Sequence, residues 1–247
     1  MQVTVYGATG TFGSRLVSRL RAQGHSVIAA HRGIGVDTYT GEGVTEAAVG
    51  SDVLVDAVNL MTNNRHRALD FFSRSARSIA LAAAENPGAA MVCLSIAFRP
   101  EVAESKLFAY YQGKDLQERV YRRLVPADQL LMFRSAQWYE LAETTSVSVG
   151  RVIFTPKMRV RALAADEAAR LMAEAIEAGE RGTVEVAGPE ISDLAAIAAK
   201  IARVDAAGRR PRRVVPVPVP GASSGDGLIP PAPRLSAVTV DEWLATR

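Results

Sequence analysis

Apolar positions in the first half of the chain alternate between strand-like runs and helical spacing. Residues 2–6 read as a strand, and residues 11–22 as a helix with Leu16, Val17 and Leu20 on one face. Gly24 ends that helix, and residues 26–30 form a second strand. The glycine- and threonine-rich stretch 33–50 predicts a short third strand over 36–39 and a brief helix near 44–49. Residues 52–58 are a nearly continuous apolar run, as a strand covered on both faces of a parallel sheet requires. A long helix over 65–85 follows, with Leu69, Phe72, Ala76, Ile79, Ala80 and Ala83 at helical spacing, and Asn86-Pro87-Gly88 stops it. A buried strand over 90–97, a helix over 108–124 and a strand over 129–133 complete a βαβ rhythm. That rhythm specifies a doubly wound parallel sheet.

Beyond Arg134 the rhythm loosens. Residues 147–161 read as irregular chain with short strands, 166–178 as a helix and 183–186 as a strand. A further helix is expected near 192–202, capped by Ser192. The proline- and glycine-rich tail 214–233 predicts an extended surface wrap without its own core, its end pinned by Trp243 and Leu244. The expected organisation is one domain over 1–247, with a nucleotide-binding core to about residue 135 and a small substrate-side lobe and tail after it.

Composition narrows the classes. The 247 residues are 48% hydrophobic and 22% charged, ordinary for a soluble globular chain. No uncharged stretch is long enough to span a bilayer, and the N-terminus opens directly on a strand without a secretory signal, so a cytoplasmic protein is expected. Cys93 is the single cysteine and sits in the apolar run MVCLSIAF, which suits a small buried hydrophobe. His25, His31 and His66 are scattered and predict no metal site. Arg209, Arg210, Arg212 and Arg213 form the one basic cluster. Without interleaved aromatics or a groove-reading element it reads as a solvated loop, so no nucleic-acid partner is expected.

The chemistry begins at VYGATGTFGSRL, where Gly7, Gly10 and Gly13 join the first strand to the first helix. Gly7 permits a sharp turn, Gly10 lets backbone amides approach a pyrophosphate, and Gly13 allows close helix–strand packing. The helix N-terminus adds unpaired N–H groups and partial positive charge. With Thr9, Thr11 and Phe12 this loop predicts a dinucleotide site on a Rossmann sheet. The second strand ends in Ala30-His31-Arg32-Gly33, without the acid that holds a ribose 2′-hydroxyl in NAD binders. Arg32, beside His31, can pair with a 2′-phosphate instead, which favours NADP and keeps NAD as the alternative. Asp37 is a lesser candidate near the adenine, and Asn59, after the strand over 52–58, faces the cofactor crevice.

GATGTFG resembles the atypical or extended short-chain dehydrogenase/reductase superfamily, in particular its NmrA-like branch. YYQGKDLQERV, LLMFRSAQWYE, VEVAGPE and PVPVPG…DEWLA look like later segments of actinobacterial members. The resemblance implies a catalytic Tyr-x-x-x-Lys with an upstream serine, matched by Tyr110, Lys114 and Ser95. Spacing of i and i+4 puts Tyr110 and Lys114 on one helix face. In the implied roles Lys114 holds the nicotinamide ribose and lowers the phenol pKa, Tyr110 exchanges a proton with the substrate oxygen, and Ser95 orients the carbonyl. Tyr111 is an alternative acid. Gln137 and Trp138 follow the strand over 129–133, at the carboxyl edge where such sheets bind ligands, and are expected to line the substrate pocket. The expected function is an NADP-dependent oxidoreductase of a small carbonyl, enone or quinone-like substrate. A non-catalytic NADP-binding redox sensor is the alternative, and a homodimer stays open.

Overall fold

Successive residues of a strand face opposite sides of a sheet, and here both sides are apolar. The computed structural model describes residues 1–105, 108–206, 212–219 and 225–247. Chain order gives β1 (Gln2–Tyr6), α1 (Thr11–Ala22), β2 (Ser26–Ala30), α2 (Val44–Ala48), β3 (Val53–Asp56), α3 (Arg65–Ala84) and β4 (Ala90–Ile96). Next come α4 (Pro100–Glu104), α5 (Ala109–Leu124), β5 (Leu130–Ser135), α6 (Leu141–Thr144), β6 (Val147–Val149), β7 (Val152–Lys157) and β8 (Arg159–Val160). The last are α7 (Ala165–Glu177), β9 (Gly182–Ala187), β10 (Ser192–Asp193), α8 (Leu194–Val204), β11 (Arg213–Pro218), β12 (Arg234–Leu235) and α9 (Val240–Ala245).

Seven parallel strands lie in the order β12-β9-β5-β4-β3-β1-β2. β1 pairs with β2 from Gln2 opposite Ser26 to Tyr6 opposite Ala30, and with β3 from Val3 opposite Val53. The chain therefore runs to one side of β1, then crosses to the other, and the strand order reverses at β1. That reversal opens a crevice at the carboxyl ends of the strands. β2 is left as a sheet edge, where the Arg21 guanidinium donates to the Val27 carbonyl (3.1 Å).

The fold divides into two compact units. The first holds Met1–Ile96, Lys106–Arg134 and Ala169–Val184. On one face of its strands Leu54, Met91, Cys93 and Met132 pack with Ile79, Ala80 and Tyr121 in one buried cluster. Each large side chain so buried contributes about 1.5–3 kcal/mol. Tyr6 is fully buried in the same cluster, and its hydroxyl donates to the Val44 carbonyl (2.7 Å), pinning α2. α3 and α5 pack along their length because residue 113 is glycine. A Cβ there would stand 2.4 Å from the Phe72 ring.

The second unit holds Ala97–Ser105, Ser135–Ala168 and Glu185–Arg247. Its three-stranded sheet, ordered β11-β7-β6, packs against α8. α9 starts with a reciprocal cap between Thr239 and Glu242, and the Trp243 ring lies 5.2 Å from that of Tyr139.

Several expectations are corrected. No strand forms over 36–39: a 3-10 turn spans Arg32–Ile34, and Asp37 and Glu42 make only an isolated bridge. Gly35, Gly41 and Gly43, at φ +81°, +89° and +66°, keep turning that stretch and deny it an extended run. The cap of α8 is Asp193, whose carboxylate accepts from the Ala195 amide, while Ser192 pairs in β10. The short strands expected over 147–161 form as β6, β7 and β8 and leave little irregular chain between them. Part of the extended tail pairs rather than only wrapping, since β11 runs parallel to β7, and just beyond the tail β12 adds to the main sheet beside β9. Arg209 and Arg210 lie outside the described residues; Arg212 donates to Ser148 (3.2 Å), and Arg213 starts β11.

Candidate functional site

The turn after β1 is built by three glycines with separate duties. Gly7 has φ +78°, and a Cβ on it would stand 2.7 Å from the Ala57 carbonyl oxygen. A Cβ on Gly13 would stand 2.2 Å from the Gly7 carbonyl oxygen, so α1 can approach the strand end only with hydrogen at that position. Gly10 is less confined, its Cβ meeting only the Gly7 oxygen at 3.3 Å. It is the N-cap of α1 and offers no side chain to the first-turn amides, and that turn contains no acid. Thr9, Gly10 and Thr11 are exposed, while Phe12 and Gly13 are buried. An exposed helix start, uncapped and free of anionic side chains, at the sheet's reversal point fits a diphosphate.

The amides of Gly7 and Ala8 both donate to the Ala30 carbonyl, at 3.1 and 3.3 Å, tying the turn to the end of β2. There His31 uses Nδ1 to accept from the Gly33 amide (3.1 Å), which makes it a cap of the 3-10 turn. Arg32 beside it is exposed, its carbonyl accepts from the Gly35 amide (3.0 Å), and its guanidinium makes no hydrogen bond or ion pair among the described residues. Asp37 accepts from the Tyr39 amide (2.8 Å), so its carboxylate closes its own turn.

β4 and α5 place the residues of the Tyr-x-x-x-Lys pattern. Ser95, near the end of β4, is 1% exposed, and its Oγ has no hydrogen-bond partner among the described residues. Tyr110 is half-buried, its ring against Phe72 and Tyr111, and its hydroxyl hydrogen-bonds the exposed Asn59. Burial raises the Tyr110 pKa, the neighbouring Tyr111 adds to the rise, and the Asn59 bond offsets part of it. Lys114 is turned inward. Its Nζ donates to the Leu94 carbonyl (2.8 Å) and Gln117 Oε1 (2.7 Å) and lies 5.0 Å from the centre of the Phe72 ring. The phenol is thus shifted by burial and not lowered by the lysine, contrary to expectation. Tyr110 and Lys114 share a helix and both meet the Phe72 ring, but their polar atoms engage different partners.

Sequence reading missed the groups behind Lys114. Asp56, fully buried at the end of β3, accepts from Gln117 Nε2 (2.6 Å), the Tyr121 hydroxyl (2.7 Å) and the Val58 amide (2.9 Å). Burial pushes the Asp56 pKa up, and Lys114 and the three donors pull it back. Burial likewise depresses the Lys114 pKa, which Cys93, Asp56 and Glu118 oppose. Glu118 is also buried and is held by two bonds from Arg134, at 2.9 and 2.6 Å, and by Arg122 at 3.0 Å. One signal was available: Asp56 interrupts an otherwise apolar run.

In the second unit Gln137 is 5% exposed, and neither carboxamide atom has a partner among the described residues. A buried amide left unpaired costs about 1–3 kcal/mol, so a ligand able to pair with it would recover that cost. Trp138 next to it is half-buried, and its indole N–H donates to Ser135 Oγ (2.9 Å). No helix of the described residues is long and apolar enough to cross a membrane.

Sheet order, reversal point and glycine turn together define a Rossmann-type α/β protein. Its fold is shared with solved structures of short-chain dehydrogenases/reductases and nucleotide-sugar enzymes. A short-chain dehydrogenase/reductase superfamily protein from Agrobacterium tumefaciens, solved with bound NAD, is 18% identical with a TM-score of 0.69, over 100% of this chain and 95% of that one. The dTDP-4-dehydrorhamnose reductase of Yersinia enterocolitica is 18% identical with a TM-score of 0.69, over 95% and 88%. The UDP-glucose 4-epimerase of Thermus thermophilus, in complex with NAD, is 17% identical with a TM-score of 0.65, over 100% and 93%. No family model and no curated protein matches the sequence.

Proposed function

We propose that this chain is an NAD(P)-dependent oxidoreductase of the extended short-chain dehydrogenase/reductase type, with a preference for NADP and a small carbonyl compound as substrate. The observation that carries the reading is the glycine turn at the reversal point of the sheet, with an uncapped, acid-free helix start behind it. Gly7, Thr9, Gly10, Thr11, Phe12 and Gly13 would hold the diphosphate. The free guanidinium of Arg32 after β2 supports a 2′-phosphate partner. His31 would contribute through the turn it caps.

A bound nicotinamide supplies hydride to a substrate carbon. What the chain must add is a proton and a grip on the substrate oxygen. Tyr110 suits the first task, because a phenol whose pKa burial raises stays protonated at neutral pH and can donate. Asn59 orients its hydroxyl. The partnerless Oγ of Ser95 supports a hydrogen bond to the carbonyl. Lys114 belongs to the cofactor side, supported by its place on α5 one turn beyond Tyr110. In the second unit, the unpaired carboxamide of Gln137 supports a role in reading a polar substrate group.

The test is NADPH oxidation against a panel of aldehydes, ketones, quinones and keto-sugar nucleotides, the last suggested by the names of the structural neighbours. Substrate-dependent oxidation is expected, and Tyr110→Phe should lower it by about 10²–10⁴-fold while NADPH binding persists. Tight NADPH binding with no turnover across the panel would sink the oxidoreductase reading in favour of a binding protein.

A further inference from the structure

Two buried charges on different elements of the first unit are joined by one neutral side chain. Lys114 on α5 is 3% exposed and Asp56 on β3 is 0% exposed. Between them Gln117, also 0% exposed, accepts from the ammonium through Oε1 (2.7 Å) and donates to the carboxylate through Nε2 (2.6 Å). A carboxamide has one accepting end and one donating end, so it can bridge only a donor to an acceptor. Gln117 is therefore polarised by both charges. The Tyr121 hydroxyl and the Val58 amide complete the carboxylate's partners, and the Leu94 carbonyl takes a second ammonium hydrogen.

This arrangement is costly unless the charges compensate each other, because each has left water. Other titratable groups stand around the pair, while from α3 it meets the Phe72 ring. Cys93 lies on β4, Glu118 is held by Arg122 and Arg134, and Tyr6 on β1 senses Asp56. Glu118 is engaged by two arginines, whereas among the described residues Asp56 has only neutral hydrogen-bond donors. Asp56 is thus the carboxylate whose charge is left for Lys114.

We propose that Asp56 is a positioning residue for Lys114, acting through Gln117 to supply the counter-charge that orients the ammonium for dinucleotide binding. This rests on the reading of Lys114 as part of the cofactor site. A purely structural strut would affect folding but would not tie cofactor affinity to a titration.

The test is the NADPH dissociation constant, followed by fluorescence from about pH 6 to about pH 10, a span that reaches toward the lysine range. Wild type, Asp56→Asn, Gln117→Met, Lys114→Met and Gly10→Val are compared. Wild-type affinity is expected to fall on an alkaline limb as Lys114 loses its proton. Asp56→Asn should move that limb down by about one pH unit or more, since the charge favouring the ammonium is gone. Gln117→Met should move it the same way and weaken binding roughly tenfold below the limb. A folded Asp56→Asn protein with the wild-type limb overturns the proposal. If Asp56→Asn does not fold, Gln117→Met decides, and an unchanged limb and affinity in it overturns the proposal equally. Lys114→Met with the limb intact refutes the place of Lys114 in the cofactor site, and the inference falls with it. Unchanged affinity in Gly10→Val refutes the dinucleotide site itself, a separate outcome visible without any pH series.

Discussion

Gly10 and Gly13 belong to one loop, yet different constraints hold them. Gly10 has β-region backbone (φ −73°, ψ 169°), which valine adopts without strain, and it lies exposed. Gly10→Val should therefore fold normally and lose at least about tenfold in NADPH affinity, because the isopropyl group takes the space of the phosphates. Gly13→Ala meets a backbone oxygen at 2.2 Å, and backbone cannot swing aside. It should cost about 1–3 kcal/mol of stability, read by chemical denaturation. A stable Gly13→Ala protein would contradict the close approach of α1 to the strand end. For Arg32, alanine should erase most of any NADP-over-NAD preference, roughly tenfold or more for one charge-assisted phosphate contact. Calorimetry with both cofactors checks it, and equal wild-type affinities would show that Arg32 does not read the 2′-phosphate.

At the scale of elements, α3 against α5 is the contact on which the candidate site depends. Phe72 touches the Lys114 ammonium at 5.0 Å and the Tyr110 ring at 5.9 Å, and Gly113 gives it room. Gly113→Ala should gain about 1 kcal/mol of helix propensity and lose more to overpacking, since Phe72 is fully buried. The expected outcome is a lower melting temperature together with weaker NADPH binding; a higher melting temperature would mean that the helices can separate. Period and length in the sequence sufficed for β1, α1, β2, β3, α3, β4 and α5, since each is a long or strongly patterned run. The strand expected over 36–39 failed because three positive-φ glycines outweighed a β-branched composition. Helical spacing likewise located Tyr110 and Lys114 but could not give the direction of Lys114. Lys114 points to the Leu94 carbonyl and to Gln117, and Gln117 is held by Asp56, distant in sequence and brought near only once β3 and α5 are packed. The cap at Asp193 was missed for a smaller reason, two neighbouring residues that can both cap.

Across the whole molecule, the fold shared with structures at 17–18% identity follows from strand order and the glycine turn, which very different side chains can satisfy. A ligand that binds only the folded state should raise its stability. NADPH at a hundredfold excess over its dissociation constant would add about 2.7 kcal/mol, and Gly10→Val should show no such gain. Cys93 offers a way to watch the same molecule in time. Its thiol is 0% exposed in the middle of β4, and burial with Asp56 nearby pushes its pKa well above the ordinary thiol range. An alkylating reagent needs the thiolate and a path to it. The lone thiol can therefore react only while the sheet is breached, and its labelling rate becomes a clock for breathing of the core. The expected trace is slow alkylation that NADPH slows further in wild type and leaves untouched in Gly10→Val. Rapid labelling of native protein would mean that β4 opens far more often than its packing allows.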